Sequence, residues 1–240
     1  MNRGNKLLDY VKLLDSSLQV GGFSHSFGLK SKIETGMIHT SQDFETFMRH
    51  ELYPNLIRIE GMAIKGTYTA AANQDYQRIA LIDKTLHGQH SPAAEQPNSS
   101  RTTGKRLIKL SKALHPWMDF SPLEKAAEQY GAVISLPIVH AWINYEIGVP
   151  LINAVSSYLH AAKNVCFLHA RQLLFIKPNE LEQLHKTLGE HLDQEWNKLD
   201  LSDSSVFLPS RFTVQPFLPN FPFPEEGTKA FRAPSRLSSY

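Results

Sequence analysis

Apolar residues recur along this chain with a helical period. Leu7, Leu8, Val11, Leu14 and Leu18 follow i, i+3 and i+4 spacing and share one face of a first helix. A second helix is expected from about Ser24 to Thr35, ended by Gly36, a residue type suited to the turn past a helix C-terminus. Ser41 is placed to cap the next helix, whose stripe is Phe44, Phe47, Met48 and Leu52. Pro54 lacks a backbone N–H and should kink or restart that helix. Leu56, Ile57, Met62, Ala63 and Ile64 carry the apolar face on toward Thr69. Ile79, Ile82 and Leu86 mark a shorter helix that ends near Gly88.

Residues 88–100 hold almost no large apolar residue and read as a surface loop. Helical character resumes near Arg101, where Arg101, Lys105, Lys109 and Lys112 fall on one face and Leu107, Leu110 and Leu114 lie roughly opposite. Ser121-Pro122-Leu123-Glu124 spells a capping box with proline at the first helical position. A further helix spans roughly Pro137 to Ile147 and stops at Gly148. Pro150 opens the longest apolar helix, Leu151 to about Ile176, which is expected to be the central buried one. Pro178 starts an amphipathic helix with Leu181, Leu184, Leu188, Leu192, Trp196 and Leu199 in one stripe.

From Ser202 onward, Pro209, Pro216, Pro219, Pro222, Pro224 and Pro234 exclude helix over most of the remaining chain. Six phenylalanines from Phe207 to Phe231 interleave with them, too aromatic for a solvated linker. No strand alternation and no internal repeat is evident. The expected architecture is all-α: a single helical domain of roughly eight to ten helices over residues 1–201, then an extended Pro/Phe-rich tail over 202–240.

The hydrophobic fraction of 42% is enough to build a real core. A net charge of +2 points to no strongly charged partner. The single cysteine, Cys166, excludes an intrachain disulfide and fits a reducing compartment. No apolar run reaches membrane-span length and the start lacks a signal-peptide core, so a cytoplasmic location is expected.

Candidate chemistry is sparse. Eleven histidines include no HxH or HxxxH pair. His160 and His169 point to opposite faces of their helix, and His185 and His191 diverge, so no metal site is assigned. Cys166 reads as a buried inert thiol. The basic row is explained at least as well by a solvated helix face as by a phosphate or an acidic partner. There is no GxSxG elbow and no Walker A sequence. Ser24, His25 and Ser26 invite a nucleophile reading. Sequence neighbours on a helix point about 100° apart and no orienting carboxylate is evident, so catalysis there is rejected and the chain is expected not to be an enzyme.

What stays unexplained is the run Gly21-Gly22-Phe23-Ser24-His25-Ser26, a helix joint or a partner-binding edge. With Leu13, Leu14, Asp15, Ser16, Phe27, Gly28 and Leu29 around it, this run resembles the opening signature "LLxLxDSxxPxGGFxHSxGLE" of the urease accessory protein UreF family. Further on, Gly36-Met37-Ile38, Gly104-Lys105-Arg106-Leu107 and Ile147-Gly148-Val149-Pro150 with Tyr158-Leu159-His160-Ala161 are similar to later family segments, in the expected order. The resemblance implies an all-helical homodimer without enzymatic activity or cofactor. It implies an adaptor that bridges UreD (also called UreH) and the GTPase UreG to deliver nickel to apo-urease. The residues it points to for partner binding are Gly21, Gly22, Phe23, Ser24, His25 and Ser26. In the tail it points to Arg236, within the Ser235-Arg236-Leu237 match. The competing readings are an unrelated helical binding module and a helical hydrolase with a site assembled across helices.

Overall fold

A computed structural model of the chain describes residues 27–88 and 97–199. The expected first helix, the run Gly21–Ser26, the segment 89–96 and the tail with Arg236 lie outside them. Among the described residues there are eight helical stretches and no strand, as the all-α expectation requires. They are α1 (Leu29–Glu34), the unbroken run α2 (residues 41–72), α3 (Tyr76–Gly88), α4 (Pro97–Leu114), α5 (Ser121–Tyr130), α6 (Leu136–Ile147), α7 (Leu151–Leu173) and α8 (Pro178–Asn197).

Helix starts differ from the sequence expectation for local reasons. Helix α1 begins at Leu29 rather than Ser24, because Phe27 (φ 52°) and Gly28 (φ 81°) both adopt left-handed backbone that a right-handed helix cannot contain. Its end is as expected. Gly36 sits at φ 76°, its N–H bonds Ile33 O, and Met37 N–H bonds Lys32 O, a Schellman closure. The cap of α2 is Thr40, not Ser41. The Thr40 hydroxyl accepts from Asp43 N and the Asp43 carboxylate accepts from Thr40 N, a reciprocal capping box. The box expected at Ser121 does not form. Asp119 captures both the N–H and the hydroxyl of Ser121, and Phe120 takes the cap position. Helix α4 starts at Pro97, earlier than the expected Arg101.

Pro54 neither ends nor restarts α2. Two π-helical segments, Phe47–Leu52 and Leu56–Gly61, flank a three-residue α-helical piece, Tyr53–Asn55. The wider π turn removes the need for the proline N–H that an α-helix would require. One continuous rod therefore spans residues 41–72, longer than α7.

The central buried helix is α6, not α7. Ten of the twelve α6 residues are buried, whereas α7 buries one face and ends at Leu173, before the expected Ile176. The polar complement of α7 (Asn153, Ser157, Asn164, Arg171) holds its other side at the surface. Helix α6 packs against the Met62–Ala72 end of α2, against α4 and against α7. Trp142 anchors it, with its indole N–H donating to Asp119 O at 2.8 Å. Burying such a ring is what truncation to alanine would forfeit, about 3–5 kcal/mol. Helix α3 joins α2 to α5, and α8 lies along α7 and the first turn of α2. The α8 stripe is as read: Leu188, Leu192 and Trp196 are buried and Leu181, Leu184 and Leu199 pack against the core edge.

Candidate functional site

The structure places the end of the opening motif, Phe27-Gly28-Leu29. The left-handed pair at Phe27 and Gly28 turns the chain, and Leu29 enters the core fully buried. A β-carbon on Gly28 would meet no neighbour, so this glycine is needed for its backbone angle rather than for close approach. Helix α1 then packs on α7. The residues expected from the sequence to bind a partner, Gly21 to Ser26, directly precede this turn in the chain and lie outside the described residues.

A second motif segment turns out to serve a clasp. Gly104 on α4 lies so close to the loop between α5 and α6 that a β-carbon there would stand 2.3 Å from Ile134 O. On the other side, the fully buried Asp83 of α3 grips the same loop. Its carboxylate accepts from the backbone N–H of Val133, Ile134 (2.7 Å) and Ser135 (3.0 Å) and from the Ser135 hydroxyl (2.6 Å). Ile134 itself sits at φ 61°, where a β-branched residue is strained. The clasp is invisible in the sequence because its partners are about fifty residues apart. Beside it, between α3 and α5, lies an open cavity of about 770 Å³ lined by Arg78, Leu81, Lys84, Gln129, Tyr130 and Gly131 among others.

The interior holds a polar group that the periodicity also concealed. Tyr158 donates to Glu60 at 2.5 Å, and the His140 ring lies 5.1 Å from the Tyr158 ring. His140 donates from Nε2 to Ala154 O at 2.9 Å, and Asn144 donates to His140 O. Burial pushes Glu60 up to about 6 against the opposing pull of the Tyr158 hydrogen bond. Burial drives His140 down to about 4, so it is neutral at pH 7.

The histidines on the α7–α8 seam are bonded individually. His160 Nε2 meets Asp193 Oδ1 at 2.8 Å, and His185 Nε2 meets Asn164 Oδ1 at 3.0 Å. Between them Lys163, 3% exposed, donates to His185 O at 3.3 Å, and burial lowers its pKa. Among the described residues, no group of three or more His, Cys, Asp or Glu is arranged to hold a metal ion. Cys166 is fully buried and burial raises its thiol pKa, which makes it the unreactive thiol expected. Among the described residues, no helix is long and apolar enough to cross a membrane. The surface exposes several large apolar side chains instead, including Met37, Leu114, Trp117, Leu168 and a fully exposed Phe175.

This helical frame, with its turn after the opening motif and Gly104 against its loop, agrees with the sequence resemblance. The family model described as UreF matches residues 38–167, more than half of the 240-residue chain. The chain belongs to the UreF family. It is similar to the urease accessory protein UreF of Lachnoclostridium phytofermentans, 28% identical over 199 residues that cover 82% of this chain and 86% of that one. Within the UreF match lie α2 to α6, the Asp83–Gly104 clasp and most of α7.

Proposed function

We propose that this chain is a urease maturation factor. It works as a non-catalytic adaptor that bridges UreD/UreH and the UreG GTPase for nickel insertion into apo-urease. The observation that carries this reading is the UreF match across residues 38–167. The name of the relative in Lachnoclostridium phytofermentans, a urease accessory protein, supports the same role. Physically, an adaptor needs a stiff frame and separate docking surfaces rather than a reactive centre. The buried α6 and the helices packed around it supply the frame, and the exposed apolar side chains supply contact surface.

In this reading Gly21, Gly22, Phe23, Ser24, His25 and Ser26, which precede the turn at Phe27 and Gly28 in the sequence, form a partner-facing edge. Arg236 adds a contact from the tail. The protein acts in the cytoplasm as a homodimer, and nickel is cargo of the assembly, with no resident cofactor in this chain.

Complementation tests the role. Expressed in a urease-positive host deleted for its own UreF, the chain is expected to restore urease activity at limiting nickel. Activity that stays at the level of the deletion strain, with the protein present and folded, contradicts the proposal.

A further inference from the structure

The open cavity between α3 and α5, about 770 Å³, is the size of a small-molecule site, roughly 300–1,000 Å³. Its α3 wall is the row Arg78, Leu81 and Lys84, spaced three residues apart so that each is the surface neighbour of the next. At 1.5 Å per residue, Arg78 and Lys84 leave α3 about 9 Å apart along its axis, with Leu81 midway. Tyr130 and Gly131, where α5 ends, form the other wall. Leu81 is 47% exposed and Tyr130 37%, so the cavity has an apolar middle open to solvent. The Lys84 tip reaches across to α5: its Nζ lies 3.7 Å from where a β-carbon on Gly131 would stand. Ala80 and Ile82 at the back are buried, and the clasp holds the loop that continues from Gly131, so the walls are formed before any ligand arrives.

The cations at the two ends of the row are unmatched. Among the described residues, the side chains of half-buried Arg78 and exposed Lys84 have neither an ion pair nor a hydrogen bond. The one acidic residue of α3 is Asp83, buried and committed to the loop on the other side. Asp75 is the one carboxylate among the described lining residues, and it accepts the Arg78 backbone N–H at 2.9 Å. A half-buried guanidinium without an acceptor is unfavourable, and an anion placed there restores the missing bonds.

We infer that this cavity binds a small, elongated organic dianion, with one anionic group at Arg78, the other at Lys84 and an apolar middle over Leu81 and Tyr130. The planar fork of Arg78 suits a carboxylate, which it holds through two parallel N–H···O bonds, and Lys84 supplies a point charge. An inorganic anion would leave Leu81 and Tyr130 in water, and an uncharged molecule would leave both cations unmatched. The site is independent of the adaptor reading, and the failure of either leaves the other standing.

Isothermal titration calorimetry of the full chain tests it. The probe is a nine-carbon α,ω-dicarboxylate, whose ends stand roughly 9 Å apart when extended. A four-carbon dicarboxylate and a nine-carbon monocarboxylate are the comparisons. The nine-carbon diacid should bind saturably, one per chain, and raise the unfolding temperature. Either comparison ligand, and either variant, Arg78→Gln or Lys84→Gln, should bind more weakly by about tenfold, the scale for losing a hydrogen bond to a charged group. Lys84 is exposed, so Lys84→Gln should unfold without ligand at the temperature of the unaltered chain and keeps the test open if Arg78→Gln misfolds. The absence of saturable heat with the nine-carbon diacid overturns the site. So does equal affinity for the three ligands, or binding that survives both substitutions.

Discussion

Asp83 holds Ile134 in a left-handed backbone conformation. The carboxylate takes the N–H groups of Val133 and Ile134 on one oxygen and that of Ser135 on the other, across a bend at φ 61°. An amide at residue 83 has a single acceptor oxygen and turns an NH2 toward these donors. Asp83→Asn is therefore expected to destabilise the fold by about 3 kcal/mol, the scale for losing charge-assisted buried hydrogen bonds. Urea unfolding measures this. A loss under about 0.5 kcal/mol, ordinary for a neutral surface change, contradicts the clasp.

Gly104→Ala and Gly189→Ala are the same change in two helices, with different outcomes. Alanine favours a helix interior by about 1 kcal/mol over glycine. At Gly104 the new methyl would meet the Ile134 carbonyl at 2.3 Å, a backbone atom held by the clasp. At Gly189 it would meet Lys163 Nζ at 3.0 Å, the tip of a flexible side chain. Thermal unfolding should show Gly104→Ala destabilised by about 1–3 kcal/mol and Gly189→Ala much less affected. Because Asp83 and Gly104 grip one loop, Asp83→Asn and Gly104→Ala should be non-additive.

Acid stability reports the polar interior. Glu60 is raised from 4.5 to about 6 by burial, so between those values the folded state binds the extra proton. Its contribution is present below pH 4.5 and is lost as pH rises through 6. His140 is lowered from 6.5 to about 4, so between those values the unfolded state binds the extra proton. Its contribution is present above pH 6.5 and is lost as pH falls toward 4. The two oppose each other from about pH 4.5 to 6, and the larger His140 shift dominates. Unfolding free energy should fall on acidification from pH 6.5 to 4.5. Glu60→Gln removes the opposing contribution and should steepen that fall. A shallower pH dependence in Glu60→Gln contradicts the assignment.

Phe23→Ala and Gly22→Ala separate a partner-facing edge from a packing element. The adaptor account expects partner assembly to fail while the unfolding midpoint stays near that of the unaltered chain. A binding module unrelated to this assembly would lose only stability.

Much of this frame is legible in the sequence, because a helix is a local object. The α8 stripe from Leu181 to Leu199 and the glycines ending α1 and α6 are where periodicity and capping rules put them. Errors arise where two local signals compete. Thr40 outbids Ser41 because Asp43 completes its box, and Asp119 takes the Ser121 N–H that Glu124 would accept in the expected box. The centrality of α6 over α7 depends on how many neighbours surround it, which hydrophobic period does not encode. The Asp83 clasp and the Glu60–Tyr158 pair join residues 50 or more positions apart, so only the folded chain reveals them. Of the candidate site, Gly104 was readable as a motif residue, whereas its purpose, a close approach to Ile134, was not.

Co-purification of the full chain with UreD/UreH and UreG tests the central claim most directly. One component carries the tag and the others are followed through size exclusion. The account predicts a single complex containing all three, which disperses to a tagged component alone when this chain is omitted. Recovery of UreD/UreH and UreG together without this chain, or failure of the chain to associate with either, contradicts it.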